Sequence, residues 1–302
     1  MSNSQAAIGV TQTIALGDMR LVLAPEFGGS IVSWCRGDQA LIKGRSGEAN
    51  LGCFPMVPYC NRIAYGRFKF HERDVVLTPN FPGEQHTIHG TTWRKPWCVE
   101  SQCANEIGLS YEHDALASAQ SGWPWTFRAE QTFQLTQNSL LVHLRVTNTD
   151  IQPMPAGLGL HPFFPAPERT QLVSQFSHEL RVDREGIPID QPRLVGSGDP
   201  LNGGQVGEQS IDNIFLGKVV APVLQWANQP WKLQISASEE LPHTVIFAPQ
   251  AEGFVCIEPI SHVPNILNAT MTVGDLDDMQ MRVLASNEAF AASVEFITLE
   301  NV

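Results

Sequence analysis

The sequence predicts an all-β protein built as a large antiparallel β-sandwich, and three observations support that prediction. Apolar and polar residues alternate wherever a period can be read, as along residues 140–147, and a period of two is typical of a strand with one buried face. No window of about 15 residues carries a helical apolar stripe. The chain also spreads 24 glycines and 21 prolines along its length, and these would interrupt long helices.

Taken in order, short apolar runs mark the individual strands. The first lies at residues 21–23, and residues 127–135 lead through Gln137, Asn138 and Ser139 into 140–147, which predicts a hairpin with an Asn-Ser turn. Further strands are predicted at 231–235, 245–247, 279–284 and 294–299, and the glycine-rich segment 196–209 is predicted to be a surface loop. No linker or internal repeat divides the chain, so we expect a single domain over residues 1–302.

Charge and cysteine content exclude several classes of function. The chain has 19 Lys and Arg against 31 Asp and Glu, a net charge of −12, which opposes binding to nucleic acid or to an anionic membrane surface. The N-terminus has no signal-peptide pattern and no apolar run of about 18 residues occurs, so we expect a cytoplasmic protein. The six cysteines form no CxxC pair, which favours reduced, mostly buried thiols over disulfides or a zinc ribbon.

Two clusters in the first third of the chain place polar groups among glycine, proline and aromatic residues. In residues 54–68, Asn61 and Arg62 follow a proline-rich approach, and the Arg62 guanidinium suits either oxygen atoms of a ligand or a structural carboxylate. In residues 86–93, His86 and His89 would point to opposite faces of a strand, so a metal site would require the segment to turn. A structural histidine beside Trp93 is equally compatible with that pattern.

Two further clusters carry the strongest chemical signal. His161 follows two glycines within an apolar and aromatic segment, residues 154–165, where burial could bring its pKa near the working pH. The alternative is a core histidine satisfied by a backbone carbonyl. Glu258 ends a short apolar run in residues 255–268, and a carboxylate at the end of a buried strand is costly unless it is paired or used. Glu258 is therefore the most informative single residue.

Taken together and in this order, the clusters resemble the aldose 1-epimerase (galactose mutarotase) family, from about Leu21 to the C-terminal strand. The resemblance rests on Asn61-Arg62 after Phe-Pro and Pro-Tyr, on His89-Gly, on Gly-x-His161-Pro-Phe-Phe, and on the strand that ends in Glu258. It implies a twisted antiparallel β-supersandwich with a sugar bound in an open cleft on the concave face.

The resemblance also implies roles for individual residues. Glu258 would be the general base and His161 the general acid, while the residues around the sugar would be Arg62, His89, Asp212, Asn61 and Trp93. From the residues alone, Asp212 would be a surface turn residue. The implied reaction needs no metal and no other cofactor. The expected partner is a monosaccharide, and the protein would be a monomer or a homodimer.

Because the sequence departs from the family pattern, the identity of the sugar is not fixed and other functions have to be considered. His89-Gly-Thr-Thr and Glu258-Pro-Ile-Ser replace the usual Gly-Gly and Glu-Thr-Gln steps, so the chain resembles a divergent bacterial branch, and galactose or glucose is a default. A hexose 6-phosphate mutarotase would need a cationic rim, for which the candidates are Arg67, Arg94 and Lys95. A cupin-like metal site would use His86, His89, His161 and Glu258. A non-catalytic sugar-binding protein would not need the acid–base pair.

Overall fold

The computed structural model describes residues 9–44, 51–195, 202–208, 210–268 and 279–300. Within these ranges the chain forms 24 strands and three short 3₁₀ turns, at Ala64–Gly66, Ala119–Ser121 and Ile266–Asn268. The strands are β1 (Gln12–Leu16), β2 (Met19–Ala24), β3 (Ser30–Arg36), β4 (Gln39–Lys43), β5 (Cys53–Met56), β6 (Arg62–Ile63), β7 (Arg67–Phe70), β8 (Arg73–Val76), β9 (Thr87–Ile88), β10 (Cys98–Gln102), β11 (Glu106–His113), β12 (Phe127–Leu135), β13 (Ser139–Asn148), β14 (Met154–Ala156), β15 (Gly159–Pro165), β16 (Gln171–Leu180), β17 (Arg193–Leu194), β18 (Asn202–Gln205), β19 (Ile211–Gln225), β20 (Trp231–Ala237), β21 (His243–Ala248), β22 (Phe254–Ile260), β23 (Arg282–Leu284) and β24 (Ala289–Glu300).

Eighteen of the described strands join one large sheet. Hydrogen-bonded pairs follow each other from β1 through β2, β3, β5, β15, β22, β21, β19, β20, β24, β13, β12 and β11 to β10, and every pair on this path is antiparallel. The all-β antiparallel fold predicted from the sequence is confirmed. Strands β15 and β22, neighbours on this path, carry His161 and Glu258, and β19 carries Asp212.

Two kinds of strand follow from two kinds of sequence. In β12, alternate residues from Phe127 to Leu135 are buried, as the period-two pattern predicts for a strand with one face on the core. In β22, every residue from Phe254 to Ile260 is buried, and β15 is buried up to its last residue. Strands covered on both faces read as continuous apolar runs, which is why a glutamate and a histidine within them stand out.

The structure confirms some sequence predictions and corrects others. The predicted hairpin of β12 and β13 forms, with Leu135 opposite Leu140. The predicted run at 279–284 contributes a strand only over Arg282–Leu284. The predicted loop 196–209 contains strand β18, while its residues 196–201 and Gln209 lie outside the described residues.

Cysteine placement agrees in part with the expectation. All six cysteines are thiols, but only Cys53, Cys60 and Cys256 are buried, whereas Cys98 and Cys103 are exposed. Within the described ranges, no helix has the length and apolar character that crossing a membrane requires.

Candidate active site

The register of β15 and β22 brings His161 and Glu258 together. Gly159 pairs with Ile260 and Phe163 pairs with Cys256. His161 lies midway between Gly159 and Phe163, and Glu258 lies midway between Cys256 and Ile260. The two residues therefore lie opposite each other on neighbouring strands. The Nε2 atom of His161 lies 3.2 Å from Oε1 of Glu258. Two residues almost a hundred positions apart in the chain thus form one close carboxylate–imidazole pair.

Burial sets the proton affinity of Glu258. Its side chain is 3% exposed, and its Oε2 atom has no hydrogen-bond partner among the described residues. Burial raises the pKa of Glu258 well above its usual value, the nearby Asp212 carboxylate raises it further, and the Arg62 guanidinium opposes both effects. A carboxyl group held in this way binds a proton far more readily than one in water, as a proton-transfer group requires.

Aromatic rings hold the imidazole of His161. The ring of Phe54, opposite His161 on β5, stacks on the imidazole with centroids 4.5 Å apart, and Phe163 stacks at 4.7 Å. Trp93 stacks on Phe54 at 4.9 Å. These contacts fix the ring plane of His161, whose side chain keeps 11% of its surface exposed. Part of the imidazole therefore remains accessible to solvent.

His89 stands beside the pair because the chain turns sharply after β9. His89 has a φ of 60° and Gly90 a φ of 79°, and a Cβ atom on Gly90 would lie 2.0 Å from the carbonyl oxygen of Val57. Only glycine fits there. The His89 ring meets the His161 ring edge to face at 5.0 Å. Burial and, to a lesser extent, His161 and two arginines lower the pKa of His89 well below its usual value, so this imidazole is neutral.

Asn61 sets the positions of its neighbours. Its Oδ1 accepts a hydrogen bond from the backbone N–H of Arg62 at 2.8 Å, and its carbonyl oxygen accepts one from the N–H of His89 at 2.9 Å. The guanidinium of Arg62 donates to Glu84 at 3.0 Å. This is the pairing with a structural carboxylate that the sequence analysis gave as one of two interpretations of Arg62. Arg62 nevertheless lies close enough to lower the pKa values of both Glu258 and Asp212.

Asp212 belongs to strand β19 and not to a surface turn. It pairs with Phe247 of β21, which pairs in turn with Cys256 of β22, so Asp212 occupies the row next to that of Glu258. Residues opposite one another in a sheet point to the same face. Asp212 retains exposed surface, yet the protein around it raises the pKa of its carboxyl, chiefly by desolvation.

The predicted site residues therefore assemble at one place, and sequence reasoning missed three of their neighbours. These are Phe54, Glu84 and Cys256. Cys256 could have been found, because it precedes Glu258 by two positions on one strand and so shares its face. The Sγ atom of Cys256, a ring nitrogen of His161 and a carboxylate oxygen of Glu258 all lie within 4.8 Å of one another.

The four-residue metal site with His86 is not formed. The Nδ1 atom of His86 accepts the backbone N–H of Tyr65 at 2.9 Å, and its Nε2 lies 3.2 Å from Glu185. Neither His86 nor His89 belongs to the group of close donor atoms around Glu258. His86 instead holds the chain around Tyr65 in place.

A surface depression of about 720 Å³ lies on β12, β13 and β24, beside Arg128, His143 and Ser293. None of its titratable side chains is buried. We assign the candidate site by the buried pair and not by volume, because perturbed proton affinity is a stronger indication of chemistry than an open hollow.

Fold and site together define an all-β protein whose central strands carry a buried carboxylate–imidazole pair. A sequence profile of the aldose 1-epimerase family matches residues 12–296, and the chain belongs to that family. It is 29% identical to the uncharacterized protein YphB of Escherichia coli K12 over 268 residues, which are 84% of this chain and 88% of that protein.

Two solved structures share the fold. A galactose mutarotase-like protein from Clostridium acetobutylicum superimposes with a TM-score of 0.85 at 17% identity, covering 96% of this chain and 95% of that one. Galactose 1-epimerase from Lactobacillus acidophilus gives a TM-score of 0.74 at 15% identity, covering 97% and 95%. At these identities the likeness establishes the fold alone.

Proposed function

We propose that the protein is an aldose 1-epimerase that interconverts the α and β anomers of a free hexose, with galactose and glucose as the first candidates. The observation that carries the proposal is the buried contact between Glu258 and His161. Anomer exchange requires one proton to leave the hydroxyl of the anomeric carbon while another reaches the ring oxygen. Both oxygens are bonded to the same carbon, so two adjacent side chains can serve them together.

In the proposed mechanism, Glu258 takes the proton from the anomeric hydroxyl and His161 gives a proton to the ring oxygen. The bond between the anomeric carbon and the ring oxygen breaks, which leaves an open-chain aldehyde. Rotation about the bond to the next carbon exposes the other face of the carbonyl, and the reverse proton transfers close the ring as the opposite anomer. Each positioned proton-transfer group contributes about 10²- to 10⁴-fold.

The surrounding residues would bind and orient the sugar. The Arg62 guanidinium can donate hydrogen bonds to hydroxyl or ring oxygens of the sugar, and its contact with Glu84 keeps it in position. Asp212 can accept hydrogen bonds from hydroxyl groups. The Nδ1 atom of the neutral His89 contacts Sδ of Met56 at 3.0 Å, so its Nε2 atom is the one offered to a hydroxyl group. Trp93 would shape the apolar wall together with Phe54.

A neutral sugar fits this site better than a phosphorylated one. The Arg62 guanidinium is already paired with Glu84, and the Asp212 carboxylate lies near Glu258. A sugar phosphate would bring negative charge toward these acidic groups, and like charges in a partly desolvated site repel strongly. The proposal therefore names a free hexose.

The test is anomer exchange measured by polarimetry or by NMR on freshly dissolved α-glucose and α-galactose. We expect the wild-type protein to accelerate equilibration of at least one of them. Glu258→Gln should lose at least about 10²-fold of that acceleration, because the amide cannot accept the proton. Glu112→Gln, on β11 outside the site, serves as the matched control. Wild-type protein that accelerates neither these sugars nor a wider panel of aldoses would overturn the proposal.

A further inference from the structure

Cys256 adds a soft ligand to the acid–base pair, and the mechanism above makes no use of it. Cys256 precedes Glu258 by two residues on β22 and pairs with Phe163 of the neighbouring strand β15. Its Sγ atom, a nitrogen of His161 and an oxygen of Glu258 lie within 4.8 Å of one another, and all three residues are buried. The cluster thus offers one sulfur, one nitrogen and one oxygen ligand from two adjacent strands.

We propose that His161, Cys256 and Glu258 form a binding site for Zn²⁺, and that the bound ion blocks sugar turnover. The binding claim stands on the geometry alone, whereas the inhibition claim rests on the proposed function. Zinc sites with three protein ligands drawn from cysteine, histidine and carboxylate leave a fourth position for water. The proposed site has that composition.

The dimensions of the cluster suit such an ion. Zinc bonds of about 2.0–2.3 Å in a tetrahedral arrangement place the ligand atoms about 3.3–3.8 Å apart. The nitrogen of His161 and the oxygen of Glu258 are already 3.2 Å apart, and the sulfur of Cys256 lies within 4.8 Å of a ligand atom of each. The mixture of ligands favours zinc over magnesium or calcium, which prefer oxygen ligands alone.

The second observation that points to a cation is the Oε2 atom of Glu258. It is buried and has no hydrogen-bond partner among the described residues, and a buried polar atom left in this state costs free energy. A divalent ion held by a thiolate and a carboxylate would leave no net charge in the cluster. The ion would therefore offset the cost of burying the carboxylate.

Metal and sugar would compete for the same atoms. An ion coordinated by His161 and Glu258 occupies the lone pairs through which these groups accept protons. Zn²⁺ should thus inhibit anomer exchange reversibly, and a chelator should restore it. The ion acts here as an inhibitor, and the proposed reaction remains free of metal.

The binding arm of the test uses Zn²⁺ and Co²⁺ alone, without sugar. The exposed thiols Cys98 and Cys103 are first replaced by serine, so that they cannot bind the ions. Titration calorimetry should then show one Zn²⁺ per chain, and Co²⁺ should give the near-ultraviolet charge-transfer absorption of a thiolate ligand. Cys256→Ala in this background should weaken binding by at least about tenfold and abolish the absorption. Cys53→Ala, another buried thiol next to His161 on β5, should retain both.

The activity arm compares each variant with itself, with and without Zn²⁺. At about ten times the dissociation constant, Zn²⁺ should slow exchange about tenfold at low sugar concentration, and the Cys256→Ala variant should be much less sensitive. Absence of saturable binding, or equal affinity in Cys256→Ala, would overturn the metal site while leaving the epimerase proposal intact. Zinc binding through Cys256 by a protein that accelerates no aldose would instead reject the proposed function. Binding without any slowing of exchange would reject the inhibition claim.

Discussion

The two regions that meet at the candidate site are built in different ways. Glu258 and His161 lie on β22 and β15, at the middle of the sheet, where strand register alone places them face to face. Arg62 and His89 come from segment 57–93, which holds only the short strand pairs β6–β9 and β7–β8 and also depends on left-handed turns at Asn61 and His89 and on single hydrogen bonds. One region is fixed by long strands of the large sheet, the other by short strand pairs and individual contacts.

The difference suggests that the two regions have different roles, proton transfer for the sheet and sugar recognition for segment 57–93. Proton transfer requires atoms held to within a fraction of an ångström, and rigid strands hold side chains more accurately than loops do. Recognition of a particular sugar requires variety, which loops tolerate. We therefore expect substitutions on the two strands to reduce the chemical step, and substitutions around segment 57–93 to change substrate binding more than chemistry.

The largest expected effect is on the sheet side. His161→Asn keeps a polar side chain of similar reach but cannot donate a proton as an imidazolium does. We expect kcat for anomer exchange to fall by about 10²- to 10⁴-fold, with the sugar affinity, measured by titration calorimetry, changed much less. Circular dichroism and thermal unfolding check that the fold is intact.

The matched control is His178→Asn on β16, a histidine whose Nδ1 contacts Ser177. That variant should keep the wild-type rate. A kcat for His161→Asn within a few-fold of wild type would contradict the proposed difference between the two regions, because the strands of the sheet would then not supply the proton-transfer groups.

The next effect is expected from segment 57–93. Arg62→Lys keeps the positive charge but loses the planar fork that reaches Glu84 and the site together. We expect kcat/KM to fall by about 10- to 100-fold, mainly through a higher KM. Steady-state kinetics on the preferred sugar measure both parameters. An equal loss in kcat with KM unchanged would show that Arg62 acts in the chemical step, contrary to the division proposed.

A glycine turn packed against Arg62 provides a smaller and more selective effect. A Cβ atom on Gly186 would lie 2.4 Å from Nη1 of Arg62, whereas one on Gly83 would meet nothing within 4 Å. Both glycines have positive φ, 76° and 85°, so each alanine variant carries backbone strain of about 1 kcal/mol. Only Gly186→Ala should also raise KM, by a few-fold, since only it displaces Arg62.

The pair of alanine variants separates strain from contact. Chemical denaturation should show similar losses of stability for both, and kinetics should distinguish them. An equal KM in Gly186→Ala and Gly83→Ala would mean that Arg62 does not depend on its packing against this turn.

The same contrast explains what could be predicted from the sequence. The strands of the β12–β13 hairpin could be predicted because alternation of apolar and polar residues is a local signal. Glu258 could be recognised because burying a charged residue within an apolar run is costly. The partnership of Glu258 with His161 depends on the pairing of β15 with β22, a non-local choice that no local period reveals. Only the resemblance to a family joined them.

Other features of the structure could not be predicted from local sequence patterns. Asp212 reads as a turn residue because its neighbours Ser210 and Asn213 favour turns, but pairing with β21 draws it into a strand. The ion pair of Arg62 with Glu84 and the contact of His86 with Glu185 join segments that approach only in the folded chain. Tertiary context decided these positions.

The smallest effect on activity is expected at the joint between the two regions, His262. Its Nε2 accepts the backbone N–H of Cys60 at 3.0 Å, and its Nδ1 lies 2.9 Å from the carbonyl oxygen of Val263, to which it donates. Chiefly through burial, with a smaller effect from His243, the folded protein lowers the pKa of His262 to about 4. The residue is therefore neutral while it ties the start of segment 57–93 to the end of β22.

This depressed pKa has a definite consequence for stability. In the unfolded chain a histidine titrates near pH 6.5, so between about pH 6.5 and pH 4 the unfolded state binds a proton that the folded state does not. Stability is then full above pH 6.5 and falls as the pH decreases through that window, by up to about 1.4 kcal/mol per pH unit for one proton. His262→Gln removes this uptake, so its free energy of unfolding should depend less steeply on pH.

The measurement is urea denaturation of wild type and His262→Gln at several pH values across the window. The amide oxygen stands near the position of Nε2 and can still accept from the N–H of Cys60, so a folded variant with nearly wild-type kcat at neutral pH is expected. His143→Gln, on the exposed face of β13, is the control for the loss of a histidine. If the slope for His262→Gln equalled that of the wild type, His262 would not be held neutral. The joint between sheet and segment would then need another explanation, such as the hydrogen bond that Asn265 accepts from the N–H of Ala64.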